Sequence, residues 1–390
     1  MAGICERAPE PFQIIFGSAG PGKSASDKAN LHRKTFVTFL RGSYPLCDDI
    51  FLSLMNSILV IQLKRLGDVI LTTPALNALR KIYPEAKITL LIDYHSAELA
   101  PAIPSVTEVW IYNRKASFNL WFDLVRRRFD LCLDFTGNDR SALVSFLSKS
   151  ARRVGFSLLA RRAVRSWVYT DLVQSAVRDK HTVEHYVDLV RSLGDSSSAG
   201  HASLQLPDSV ERSAETLRRE IGLPARYFVV HPGSARPDKY WLADRWKAVI
   251  AHAQKQLESP CLITGGRNAA ELRHIREIIA GTNHRSTVFN LAGKLDFLLS
   301  AAMIRRGTLF VGVDTAAAHV AAVFRRPELV LFGPTNPFHW HPRHAHSSVV
   351  RAGVEGPLDH FDPRQKGRPM SELSTDSVIR AMEGLLKGLN

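Results

Sequence analysis

From residue 57 onward the chain alternates short apolar runs with longer amphipathic stretches, and it does so twice. Runs of strand length stand at 57–63, 88–92, 109–112 and 131–135, with helical patterns at 69–82, 118–128 and 140–148. A polar stretch at 194–201, with three serines and two glycines, interrupts the alternation. Strand patterns then return at 227–231, 261–264, 287–290, 309–313 and 328–332, with helices at 244–257, 269–279, 297–305 and 316–323 and a closing amphipathic helix at 374–389. Short apolar strands alternating with helices build parallel β-α-β units. The expectation is an α/β protein of two doubly wound, Rossmann-like domains facing each other, with a ligand in the cleft at the carboxyl ends of the strands. The domains are read as 55–200 and 201–390, and the closing helix is free to pack back on the first of them.

Residues 1–54 lack this periodicity and are expected to form a poorly structured extension. Within them, Gly17-Ser18-Ala19-Gly20-Pro21-Gly22-Lys23-Ser24 matches the phosphate-loop pattern G-x-x-x-x-G-K-[ST]. A working loop of that kind needs a following helix and a second strand ending in Asp. Residues 25–34 are polar, and no such strand precedes residue 58, so a nucleoside-triphosphatase core does not fit. Met55 stands just before the first strand, and a chain starting there is expected to fold.

Composition narrows the partner. The 390 residues carry 51 Lys plus Arg against 37 Asp plus Glu, a net charge of +14, which favours an anionic partner. The four cysteines, at 5, 47, 132 and 261, stand far apart, which fits a reducing cytosol better than a disulfide scaffold or a zinc site. No apolar run reaches the length of a spanning helix, and no signal peptide is expected in the first thirty residues. Between Arg114 and Arg165 there are twelve Lys or Arg and four Asp or Glu, a surplus suited to an anionic lipid or a phosphorylated acceptor, or else simply a solvated face. Aromatics are sparse there, which argues against nucleic acid.

Four turns at strand ends carry the candidate chemistry. Lys64-Arg65-Leu66-Gly67-Asp68 links the first strand to the first helix; Gly67 permits a tight turn, and Asp68 is either a helix cap or a reactive carboxylate. The loop His231-Pro232-Gly233-Ser234-Ala235-Arg236-Pro237-Asp238-Lys239 offers a hydroxyl, amides and Lys239 to a diphosphate, or is an ordinary solvent loop. Thr264-Gly265-Gly266 is a weaker glycine turn. Asp314-Thr315-Ala316 leads a strand into a small-residue helix bearing His319; its N-terminus can receive phosphate, and Asp314 or Thr315 can equally be a plain cap. No two aspartates are separated by a single residue, so there is no D-x-D pair, and no His/Cys cluster forms, so no metal is expected; the run from His339 to His344 reads as a surface loop.

In order and spacing these segments resemble glycosyltransferase family 9, the ADP-heptose:lipopolysaccharide heptosyltransferases. The resemblance is carried by ILVIQLKRLGDVILTTPAL, HPGSARPDKYW, LITGG, LAGK and FVGVDTAAAHVAA with the later LFGPTNP, and it runs from about Asn56 to the C-terminus. LTTP and DFTGNDRSALVSFL are most like the subgroup that adds the third core heptose. The resemblance implies a GT-B fold and an inverting, metal-independent transfer of heptose from ADP-heptose to the anionic lipopolysaccharide inner core, with no cofactor. It implies acceptor binding in the first domain, near Lys64 and Gly67, and donor binding in the second. Asp68 becomes the general base, Lys239 meets the donor phosphates with Ser234 beside it, and Asp314, Thr315 and His319 line the donor site. Two positions depart from the family pattern: Ala316 stands where Gly is frequent, and Glu271 is the residue that best fills the acidic place after Gly265-Gly266. The implied location is the cytoplasm, peripheral at the inner face of the inner membrane. The alternatives are a nucleotide-sugar epimerase or hydrolase on the same fold, and a non-catalytic carbohydrate- or lipid-binding relative.

Overall fold

The computed structural model describes residues 55–116, 118–158, 167–194, 200–280 and 287–388. The extension with its phosphate-loop-like motif and residues 195–199 of the polar linker lie outside the described residues.

Two six-stranded parallel sheets form the core. The first half runs β1 (Ser57–Gln62), α1 (Leu66–Ile82), β2 (Lys87–Asp93), a 3-10 segment (Tyr94–Ala102), β3 (Glu108–Tyr112), α2 (Phe118–Arg126), β4 (Leu131–Asp134), α3 (Asp139–Leu147), β5 (Arg152–Phe156), β6 (Asp171–Val173) and α4 (Thr182–Arg191). The second half runs α5 (Asp208–Glu220), β7 (Phe228–His231), α6 (Ala243–Leu257), β8 (Cys261–Ile263), α7 (Ala269–Ala280), β9 (Val288–Asn290), α8 (Phe297–Arg306), β10 (Phe310–Val313), α9 (Ala316–Val323), β11 (Glu328–Phe332), α10 (Pro337–Trp340), β12 (Ser347–Arg351) and α11 (Thr375–Lys387). The sheets are ordered β3-β2-β1-β4-β5-β6 and β12-β11-β10-β7-β8-β9. Counted from its own first strand, each has the 3-2-1-4-5-6 order of a doubly wound fold. The expected α/β architecture of two Rossmann-like sheets is what the chain adopts.

The central strands are buried on both faces, as helices above and below a parallel sheet require. Six elements were not legible in the pattern: β5, β6, α4, α5, α10 and β12. β5 opens with two arginines and β12 with two serines, which masks their strand character. The closing helix α11 packs on β11, β12 and α6, and its Val378, Ala381 and Met382 belong to the second core. That corrects the expectation that it could return to the first domain: its apolar stripe is used up on its own sheet. Among the described residues no helix is long and apolar enough to cross a membrane.

Candidate active site

In each sheet the strand order reverses between two parallel central neighbours, β1 and β4 in the first and β7 and β10 in the second. The turns leaving such strands diverge and open a crevice. All the expected site residues but one stand on the turns or first helical turns after β1, β7 and β10; Glu271 follows β8.

The first-sheet half is built around Asp68. It lies in the first turn of α1 and is buried, yet it does not cap that helix: Arg65 occupies the cap position and no side chain caps it. The Asp68 carboxylate instead accepts a hydrogen bond from the Tyr186 hydroxyl, 2.5 Å away on α4. Lys64 Nζ lies 3.3 Å from that hydroxyl oxygen and 5.1 Å from the ring centroid. Burial pulls the Lys64 pKa down, opposed by the charges of Asp68 and Asp134. Asp134, at the end of β4, is fully buried and accepts from the Tyr169 hydroxyl (2.6 Å) and the amides of Thr136 (2.8 Å) and Gly137 (3.1 Å). Burial pushes its pKa up, and these donors hold it down. The Thr136 hydroxyl accepts from Leu63 N–H at 2.7 Å, tying the two turns of the crevice together.

Opposite stands the second-sheet half. Lys239 Nζ donates to the Asp314 carboxylate at 2.6 Å and to the Asp314 carbonyl at 2.7 Å, and the Thr335 hydroxyl donates to the same carboxylate at 2.7 Å. The structure therefore brings together two residues expected at the site, 75 positions apart, as a nearly buried ion pair. Ser234 is buried; its hydroxyl accepts from Arg236 N–H at 3.1 Å and stiffens the loop. Glu271 accepts from Gly266 N–H at 2.8 Å, and a Cβ on Gly233 would lie only 2.3 Å from its Cγ. It is thus wedged between the turns after β7 and β8, and only a glycine at 233 leaves room for it. Burial raises its pKa. Thr315 holds the cap position of α9, but its hydroxyl reaches back to the Val313 carbonyl (3.3 Å) and does not cap. The first amides of α9, at Ala316 and Ala317, thus face the crevice without a side-chain cap.

The halves meet closely. A Cβ on Gly67 would lie 3.1 Å from His319 Cδ2, and Ala316 Cα is the next second-domain neighbour. His319 is buried against Gly67, and burial lowers its pKa. Nearby, His181 Nδ1 accepts from Val183 N–H at 3.2 Å, while Nε2 lies 3.0 Å from the His341 carbonyl. His339 Nδ1 is 3.0 Å from the Lys180 carbonyl, and Arg343 pairs with Glu184 at 3.1 Å. The run from His339 to His344 is accordingly part of the seam between the sheets rather than a surface loop. Its histidines reach Lys180 and His181, just before α4, and Arg343 reaches Glu184 on α4, an element the sequence pattern left unassigned. That helix also supplies Tyr186, the residue most directly missed. The signal was present: Val183, Tyr186, Val187 and Val190 fall at helical spacing and all are buried. Among the described residues no group of three or more His, Cys, Asp or Glu is placed to hold a metal ion.

Fold and site together describe a crevice between two Rossmann-like sheets with charged groups on both walls. The profile of glycosyltransferase family 9 (heptosyltransferase) matches residues 117–366, and the chain belongs to that family. It is a glycosyltransferase. A lipopolysaccharide heptosyltransferase 3 of Escherichia coli is 28% identical over 337 residues, covering 82% of this chain and 96% of the relative. Among solved structures, a glycosyl transferase family 9 protein of Veillonella parvula superposes with a TM-score of 0.72 at 23% identity, covering 86% of this chain and 98% of the other. The E. coli ADP-heptose lipopolysaccharide heptosyltransferase II gives 0.70 at 20% identity, covering 85% and 99%. These last two support the GT-B architecture.

Proposed function

We propose that the chain moves a heptose from ADP-heptose to the lipopolysaccharide inner core, with inversion and without a metal, Asp68 acting as general base. The observation that carries the reading is the meeting of Gly67-Asp68 with α9: a carboxylate from one domain faces an uncapped helix start and a lysine from the other. In the proposed step an acceptor hydroxyl attacks the anomeric carbon from the face opposite ADP. Its proton passes to Asp68, the new C–O bond forms, and the bond from the anomeric carbon to the phosphate oxygen breaks. The negative charge gathered on ADP is met by Lys239 and the first amides of α9 at Ala316 and Ala317, just past Thr315. Asp314 orients Lys239, Glu271 and Ser234 stiffen the donor loops, and His319 closes the donor side against Gly67. Lys64 and Gly67 lie on the acceptor side. The relatives' names support the sugar and the acceptor class, and the subgroup that adds the third core heptose remains the nearest reading.

We also propose that the protein works at the cytoplasmic face of the inner membrane. Phe118, Phe122 and Val125 on α2, with Leu143 and Phe146 on α3, are exposed beside the basic surplus, and the Arg126 guanidinium lies 6.0 Å from the Phe122 ring centroid. Apolar side chains ringed by cations suit an anionic lipid surface. The protein should co-sediment with anionic vesicles and lose this in high salt; equal binding to neutral vesicles would leave the patch a solvated face. For the activity, the purified protein is offered a panel of nucleotide sugars with and without core acceptor. Consumption of ADP-heptose only with acceptor supports transfer. Turnover of donor alone would favour an epimerase or hydrolase, and binding without turnover a non-catalytic relative.

A further inference from the structure

We infer that Tyr186 is a positioning residue for Asp68: its hydroxyl, backed by the Lys64 ammonium, holds one carboxylate oxygen and leaves the other turned to the acceptor hydroxyl. The inference rests on the reading of Asp68 as the base. Three observations carry it. The Tyr186 hydroxyl donates to Asp68 Oδ1 at 2.5 Å, while Oδ2 makes no hydrogen bond among the described residues. Lys64 Nζ, 3.3 Å from the phenol oxygen, can donate to it, so the three groups form a chain ending on the carboxylate. A donor that itself accepts from a cation is polarised and donates more strongly. Finally, the phenol cannot swing away: Tyr186 is almost wholly buried, edge-on to Phe135 at 5.8 Å between centroids, on a helix packed along α1.

The charge environment is consistent with this role. Asp68 is faced by Lys64 from the turn after β1, by Tyr186 from α4 and by His319 from α9. Asp134 on β4 and His185 on α4 act on Lys64, while Asp314 and Lys239 act through His319. Burial, and then the Asp68 charge, raise the Tyr186 pKa well above its ordinary value, so the phenol keeps its proton and never acts as the base. Its hydrogen bond favours the ionised carboxylate. Without it, the Asp68 side chain is free to turn.

The test is the pH profile of kcat/KM for Tyr186→Phe, with ADP affinity measured alongside. ADP affinity and KM should change little, kcat near neutral pH should fall about ten- to hundredfold, and the acidic limb should move up by about one pH unit. Replacing Tyr186 with 3-fluorotyrosine, nearly the same shape and a stronger donor, should move the limb down and guards against a phenylalanine variant that fails to fold. A rate loss uniform across pH, or a limb that stays in place in the fluorinated protein, overturns the positioning role. Asp68→Asn separates the two readings. If it retains the wild-type rate, the base assignment falls and the inference with it; if it is inactive while the limb of the Tyr186 variants stays in place, only the role of Tyr186 falls.

Discussion

The two halves of the cleft handle charge in opposite ways. On the first-sheet side Asp68 is bonded to a neutral phenol, and the cation stands one step behind. The carboxylate keeps one oxygen open, which suits proton transfer. On the second-sheet side Lys239 is paired directly with Asp314, and both side chains are about one-tenth exposed (11% and 8%). That lysine cannot offer a full unshared charge to a diphosphate. On the proposed reading it shares itself, and the uncapped amides of α9 carry much of the anion binding. One half is poised for chemistry and the other is a compensated site that opens toward an anion.

The largest expected effect lies in the first half. Asp68→Asn keeps the shape and can still accept from Tyr186, so stability and ADP affinity should hold while the transfer rate drops about 10²–10⁴-fold. A folded variant transferring at near the wild-type rate would erase the contrast, because both halves would then only bind.

Next comes the ion pair. Lys239→Ala leaves Asp314 buried with only Thr335, and losing one partner of a buried pair costs on the order of 3–5 kcal/mol. Denaturant unfolding should show that loss, and calorimetry a weaker ADP affinity. Adding Asp314→Ala should recover much of the stability and little of the affinity. A double variant no more stable than the single one would mean the pair does not compensate itself as described.

The smallest effect is at the seam joining the halves. Burial, with the neighbouring His341 and Arg343, lowers the His181 pKa to about 2, and its Nδ1 is already used in accepting from Val183 N–H. Unfolded, the ring takes a proton near pH 6.5, so between that pH and about 2 the unfolded chain binds more protons. Stability therefore falls as pH falls through this window, by about 1.4 kcal/mol per pH unit for one histidine. His181→Gln should flatten the stability–pH curve below pH 6 by up to that slope. An unchanged slope would show that the seam titrates through its other histidines.

Much of the cleft could be read before any coordinates because of where doubly wound sheets put their ligands. Asp68, Ser234, Asp314 and Thr315 all follow central strands whose apolar runs are plain in the sequence, and strand ends at a reversal point face the crevice whatever else the fold does. His319 was visible as a histidine on a helix, but not as the side chain that closes on Gly67. The cap reading of Asp68 was equally open, since a carboxylate in a first helical turn often caps; what decided against it is a tyrosine 118 residues away.

What the sequence by itself determined, then, was periodicity and adjacency: two runs of β-α-β units, and the short turns that end their strands. These are local properties, set by side-chain spacing and by glycine at tight turns. The partners of the charged groups were decided by tertiary structure alone. Tyr186 reaches Asp68, Asp314 reaches Lys239 and His341 reaches His181 across separations of 118, 75 and 160 residues. No spacing rule spans such distances. The contacts exist because packing α4 along α1, α9 against α1 and β10 beside β7 removes these groups from water, and a polar group taken from water must find its partner among whatever the fold has brought beside it.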